Sequence, residues 1–406
     1  MIHYLTVVGV RNPWVGNELR VVTGKGVPVV LHALERPAQV YFDSPDIARL
    51  DAATRVLYPL PLLSALMDFL AGPARFRGRF FAALWNALAG RRESLRVRLT
   101  GLWHFLVACH WANQVRDEPV SHVHAQWTHS ACTVAYYGAW LLGRPFSFTG
   151  HAADLFRERA ALEDKIARAD FIVCISEFHR QFYIDHGAPS EKLFLAYCGI
   201  DTTHFSPVLR ERPADAPFHI LSSGRLVEKK GFEILIRACA LLAARGLDFR
   251  CTIGGDGPLE ARLRAAIREA GLEDRVTVTG APLKQEELPD FMRQGDAYCL
   301  ACVWASDNDV DGLPQMLMEA MACGLPAVST RLVGIPDLVK DGESGLLVPS
   351  GDAEALADAL ARLAIDPDIS ARLAAAGRAR VQAAFDLSTC LDPLVERFRT
   401  ALEDAR

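Results

Sequence analysis

At 406 residues the chain exceeds the roughly 250–300 at which a single hydrophobic core stops growing, so two domains are expected. Half of its residues are hydrophobic and 23% are charged, which excludes a disordered or fibrous polypeptide, and a formal charge of −5 gives no overall attraction for nucleic acid. No run reaches the roughly 18–20 uncharged apolar residues of a membrane span, the amino terminus lacks a signal-peptide pattern, and the ten cysteines stand mostly alone in apolar runs; a cytoplasmic protein is expected.

In chain order, short β-branched apolar runs predict strands at 2–10, 27–34, 120–124, 146–149, 171–175 and 193–196. A second series follows at 218–222, 250–253, 275–278, 297–300, 327–329 and 345–348. From about residue 120 these alternate with segments of helical period, the pattern of βα units on a parallel sheet. Residues 206–217 carry three prolines and several charges without either period, as a linker does. The expected architecture is therefore α/β, with two doubly wound Rossmann-like domains at 1–206 and 207–386 facing across a cleft. A final segment, 387–406, forms a helix expected to pack back on the first domain.

The stretch 59–118 is different, lacking strand signals and rich in aromatic residues and arginine. Arg77, Arg79, Arg96 and Arg98 alternate there with Phe80, Phe81, Trp85 and Trp103. Two readings stand: helices lying on an anionic membrane, or core-packed helices with a solvated basic face.

The densest chemical signal is ILSSGRLVEKKGFE at 220–233, where a strand runs into a glycine turn and then a helix. Arg225, Lys229 and Lys230 fall at the strand end, where a parallel sheet places its ligand crevice, and their charge with the backbone donors of a helix start suits a phosphate. Its companion is ACVWASDNDVDGLPQMLMEAMACGLPA at 301–327. Apolar positions there predict an amphipathic helix over 313–323, with Asp311 at its mouth, Gly312 and Leu313 as backbone donors, and Glu319 eight residues further on as an acceptor for sugar hydroxyls.

These motifs, in order, resemble the retaining GT-B glycosyltransferases of family 4, in particular their exopolysaccharide and colanic-acid-type members. The family's GR-x4-K-G turn is matched by Gly224, Arg225, Lys230 and Gly231, its G-x-G-P turn by GGDGP at 254–258, and its E-x7-E by Asp311 and Glu319. HVHAQW, FSFTGHAADLF and CISE resemble its upstream landmarks. The resemblance implies that Arg225 and Lys230 hold the diphosphate of a UDP- or GDP-sugar, that Glu319 holds the ribose, and that Asp311 with the following backbone faces the sugar. It further implies that the loop after Gly280 holds the base and that His151 lines the donor sugar near the reacting carbon. Asn12, His124 and Asp154 fall on the acceptor side. A hexose would pass, with retention and without an obligatory metal, to a saccharide or lipid-linked acceptor in surface-glycan synthesis, at the inner face of the cytoplasmic membrane.

The sequence departs from the family where Asp311 replaces the usual first Glu, where GVRNPWVGNELR lacks the paired-glycine loop, and where Cys198 stands in YCGID in place of Asn. A catalytically silent binding subunit and another GT-B enzyme, such as a nucleotide-sugar epimerase, are the alternatives. Three further signals are set aside. The run Asp307, Asp309, Asp311 imitates a calcium loop but has Met318 at its twelfth position, Cys299 and Cys302 have no second pair at zinc spacing, and His122, His124 and His129 lack a further metal ligand.

Overall fold

The computed structural model describes residues 1–36, 44–157, 159–207, 213 and 216–405, without the side chains of Arg11 and Pro13. Most of the predicted linker, 208–212 with 214 and 215, lies outside the described residues. Packing divides the chain into two units, Met1–Tyr197 with Leu391–Arg406, and Cys198–Cys390.

Among the described residues the first unit is built on seven parallel strands: β1 (Ile2–Thr6), β2 (Val29–Ala33), β3 (Arg55–Val56), β4 (His122–Gln126), β5 (Phe146–Thr149), β6 (Phe171–Cys174) and β7 (Leu193–Leu195), in the order β3-β2-β1-β4-β5-β6-β7. β1, β4, β5 and β6 are buried along their whole length, as strands covered on both faces are. The predicted strand 2–10 stops at Thr6, whose hydroxyl accepts the Gly9 N–H at 2.6 Å and turns the chain into the helix Pro13–Gly24. β3 was not predicted, because two residues on a sheet edge carry no period.

Residues 59–118 fold into three helices, Leu62–Phe76, Gly78–Ala89 and Leu95–Val115. Their inner faces put Phe76, Phe80, Phe105 and Trp111 into the unit's core. The closing segment is two helices rather than one. Leu387–Cys390 stays with the second unit, whereas Asp392–Glu403 packs on the first, with Phe398 5.3 Å from the His124 ring.

Among the described residues the second unit carries six parallel strands: β8 (Phe218–Ser223), β9 (Phe249–Gly254), β10 (Val276–Val278), β11 (Ala297–Leu300), β12 (Ala327–Thr330) and β13 (Leu346–Val348), in the order β10-β9-β8-β11-β12-β13. The chain enters this unit after Tyr197 rather than at 207. Ile200 forms a parallel bridge to Asp386, donating to Phe385 O and accepting from Leu387 N–H, both at 2.9 Å. In each sheet the strand order reverses direction at one place, between β1 and β4 and between β8 and β11, and such switch points open a crevice at the carboxyl ends of the strands.

Candidate active site

At the second switch point the loops after β8 and β11 meet. Two glycines allow the approach: a Cβ on Gly231 would collide with Ala301 O, and one on Gly255 with Gly224 O, both at positive φ. The GGDGP turn is thus a backbone clamp on the loop carrying Arg225. Lys230 reaches across to Asp311 at 2.6 Å, and Lys229 bridges Asp311 at 3.3 Å and Asp309 at 3.1 Å. Burial works to raise the Asp311 carboxyl, but Lys230 and Lys229 outweigh it and hold the group below the usual carboxylate range. Burial likewise opposes the charge of Lys230, and Asp311 more than restores it.

Arg225 differs from its lysine neighbours. It is exposed and has no ion pair or side-chain hydrogen bond among the described residues. Glu319 differs again: it is buried, accepts from Gln285 Nε2 at 3.1 Å through Oε1, and leaves Oε2 without a partner among the described residues. Burial pushes its carboxyl up to about 7 against the opposing influence of Gln285 and Lys230. Lys230 also feels the charge of Arg225, so the guanidinium, the ammonium and the carboxylate share one electrostatic neighbourhood.

The helix predicted over 313–323 is Gln315–Ala322. Pro314 sits in extended backbone at its start, and the proline ring disfavours the helical region for Leu313 before it, so Gly312 and Leu313 belong to the preceding buried loop. Gly312 O accepts from Gly334 N–H at 3.0 Å. Gly280 turns at positive φ against Glu260, and the loop it opens delivers Gln285 to Glu319. Gln285 had no signal in the sequence. Asp307 accepts the Asp309 N–H at 3.0 Å, while Asp309 and Asp311 hold the lysines rather than arrange themselves as a calcium loop.

In the first unit, the ends of β1, β4 and β5 carry a connected polar group. Gln126, the last residue of β4, donates to both oxygens of buried Glu18 at 3.0 and 3.1 Å and to Tyr4 OH, which itself donates to Glu18. Its carbonyl accepts from His151 Nε2 at 2.6 Å, which leaves Nδ1 of that ring as the acceptor. Burial holds His151 below the ordinary imidazole value and raises Glu18 to about 7. Trp127 and Trp14 stand 5.6 and 5.9 Å from the His151 ring, and Trp14 Nε1 is buried with no partner among the described residues.

Two of the acceptor-side expectations fall on buried side chains bonded within the protein. His124 does not reach the strand end: it is fully buried, bonded to Ser147 Oγ at 2.8 Å and packed on Phe171 and Phe398. The same strand face is carried to the crevice by Gln126, two residues on. Asp154 is fully engaged with backbone, accepting from the N–H groups of Thr128 (2.7 Å), Ala152 (2.9 Å) and His151 (3.1 Å). It ties the loops after β4 and β5 together. Asn12 stands at the start of the helix Pro13–Gly24 at the end of β1, partly exposed. His122 shares Ser147 with His124, at 2.6 Å.

Residues 72–204 match the family described as Glycosyltransferase Family 4, and residues 210–380 match Glycosyl transferases group 1. Two glycosyltransferase models thus account between them for most of the chain. It is 38% identical over 252 residues to the amylovoran biosynthesis glycosyltransferase AmsK of Erwinia amylovora, covering 61% of each chain. To the putative colanic acid biosynthesis glycosyltransferase WcaL of Escherichia coli it is 40% identical over 220 residues, 54% of each. The chain thus spans between half and two thirds of the length of these glycosyltransferase relatives. The fold agrees with that of HepE from Anabaena, solved in complex with UDP, at a TM-score of 0.72 and 18% identity over 98% of this chain and 99% of that one.

Proposed function

We propose that the protein is a retaining hexosyltransferase that moves a sugar from a UDP- or GDP-sugar to a saccharide or lipid-linked acceptor during assembly of a bacterial surface glycan. One observation carries the reading. At the β8–β11 switch point an exposed guanidinium (Arg225), unpaired among the described residues, shares its neighbourhood with a buried carboxylate (Glu319) whose Oε2 has no partner among them. A nucleotide-diphosphate sugar makes those two demands: anionic phosphates and ribose hydroxyl donors.

In this proposal Arg225 and one free N–H of Lys230 bind the diphosphate, and their charge stabilises it as it departs. No obligatory metal takes part. Glu319 accepts from the ribose, the loop after Gly280 borders the base, and Asp311 keeps Lys230 charged and aimed. The departing phosphate takes the proton of the acceptor hydroxyl. On the first unit, Gln126 fixes the tautomer of His151, and the indole of Trp127 offers an apolar face to a sugar ring of the acceptor. The relatives that act in amylovoran and colanic acid synthesis support the choice of a surface glycan.

The proposal extends to location. Among the described residues no helix is long and apolar enough to cross a membrane. The helices of residues 62–103 nevertheless expose Leu63, Leu70, Trp85 and Leu95, each about 70%, beside the exposed Arg77, Arg79 and Arg96. That combination suits the inner face of an anionic cytoplasmic membrane. Flotation with vesicles containing phosphatidylglycerol, weakening with salt, is the expected behaviour; equal recovery with neutral vesicles rejects it.

The test of the activity is turnover of a nucleotide-sugar panel by the purified chain, with the anomeric configuration of the product read by NMR. Consumption that disappears in Glu319→Gln supports the proposal. A silent binding subunit is the second reading, favoured by the neutralisation of Lys229 and Lys230 within the protein. Absence of any turnover with candidate acceptors supports that reading instead.

A further inference from the structure

The first unit contains a second polar hollow, lined by none of Glu18, Gln126 and His151. It is a cavity of about 360 Å³ whose lining includes Arg92, Arg96, His104, Ser130, Arg157 and Arg159. Among the described residues no carboxylate lines it. Arg92 is part of the wall, pinned by Asp164 at 2.7 Å and Tyr137 at 2.7 Å, and Arg159 touches His186 at 2.9 Å. Arg96 is exposed at the rim and has no side-chain partner among the described residues, and the His104 imidazole likewise has none.

Three further features add to the positive character of the hollow. The helix Ser130–Leu142 begins at its wall with no side-chain cap, so its first-turn N–H groups lack intrahelical acceptors. Beneath the floor lies Lys165, wholly buried, whose ammonium is bonded among the described residues only to neutral oxygens: Thr128 O at 2.6 Å, Ala160 O at 2.6 Å and Thr133 Oγ1 at 2.8 Å. Among the described residues, Asp164 is engaged by Arg92 and Glu93 by the N–H groups of Ala161 and Leu162. Burial and the charge of Lys165 lower His104 to about 4, so at neutral pH it is an uncharged hydrogen-bonding group.

The position of the cavity narrows the ligand. Arg96, Thr100 and His104 recur at four-residue spacing along the helix Leu95–Val115 and face the hollow. Leu95, Leu99 and Trp103, each one position earlier, form the adjoining stripe and are 71%, 60% and 40% exposed. A ligand seated there meets fixed cations at one end and a bare apolar stripe at the other.

We propose that this cavity binds the diphosphate of a prenyl-type, lipid-linked acceptor, with the hydrocarbon tail lying along Leu95, Leu99 and Trp103. The inference rests on the lipid-linked acceptor reading of the preceding subsection and adds the site that holds it. Diphosphate oxygens are matched by the guanidinium of Arg96 and the first turn of Ser130–Leu142, with Arg157 and Arg159 in the same lining.

The test is calorimetric titration of the full chain with farnesyl diphosphate, inorganic pyrophosphate and farnesol, and separately with UDP and GDP. Farnesyl diphosphate is expected to bind more tightly than pyrophosphate or farnesol. Arg96→Ala should weaken it about tenfold and Arg96→Glu about a hundredfold, while nucleotide binding is unchanged. Both substitutions sit at an exposed position, so the fold survives them. Arg225→Ala should do the reverse, which separates this cavity from the nucleotide site. Equal binding of farnesol, or farnesyl diphosphate binding indifferent to both Arg96 variants, overturns the proposal. If nucleotide sugars are turned over and farnesyl diphosphate does not bind, the cavity assignment alone fails; if the lipid diphosphate binds through Arg96 and no nucleotide sugar is turned over, the transferase reading alone fails.

Discussion

Replacing Asp311 by Asn separates two roles for this carboxylate, facing the sugar or balancing the lysines. In the structure its oxygens lie 2.6 Å from Lys230 and 3.3 Å from Lys229, with both partners largely buried. Removing one member of a buried pair costs about 3–5 kcal/mol, because the surviving charge is left uncompensated. Lys229 keeps Asp309 at 3.1 Å, so the uncompensated charge is that of Lys230. For a unit of this size 1 kcal/mol corresponds to about 2–4 °C, so Asp311→Asn should lower the melting temperature of the second unit by roughly 6–20 °C. A diphosphate supplies the missing anion. In differential scanning calorimetry, UDP, GDP or pyrophosphate at a hundred times its dissociation constant for the parent should stabilise the parent by about 2.7 kcal/mol and, at that same concentration, the tighter-binding variant by more, recovering part of the loss. A loss identical with and without the ligand, or no loss at all, would refute the counter-charge role.

Arg225→Ala should leave thermal stability unchanged, since the side chain is exposed and unpaired among the described residues, yet weaken donor binding by about one to two orders of magnitude in calorimetry. Glu319 governs a pH dependence. Its carboxyl titrates at about 7 in the folded protein against 4.5 in the unfolded chain, so as pH rises the unfolded state releases this proton first. Stability therefore falls between about pH 4.5 and 7, by at most about 3 kcal/mol from this group. Glu319→Gln should match the parent near pH 4.5 and exceed it in stability at pH 8 while losing donor affinity; a stability difference that does not vary with pH contradicts the assignment. Gln126→Leu removes the bond that orients His151 and should lower kcat about tenfold with donor affinity intact, measured by steady-state kinetics beside nucleotide titration.

Much of this was legible in the sequence because parallel strands covered on both faces are short β-branched runs, and β5, β6 and β8 fall within a residue of their expected limits. The order of the glycine turns, Arg225, Lys230 and Glu319 was likewise readable, since each falls at a strand end or on a helix of clear period. What was not readable depends on distance in sequence. That Lys229 and Lys230 are neutralised by Asp309 and Asp311 while Arg225 is not requires two loops some eighty residues apart to close on each other. Gln285 reaches Glu319 from a loop without any period. Gln126 carried a signal that went unused: it continues the face of His122 and His124 to the strand end, where the crevice opens. The start of the helix at Gln315 was also set locally, by Pro314.

The most direct test of the account is hydrogen–deuterium exchange of the full chain with and without a bound nucleotide-diphosphate sugar. Ligand-dependent protection concentrated in residues 224–231, 280–287 and 311–319 is the expected result. Protection confined to other segments, or none at saturating ligand, would contradict the assignment of the donor to the β8–β11 switch point.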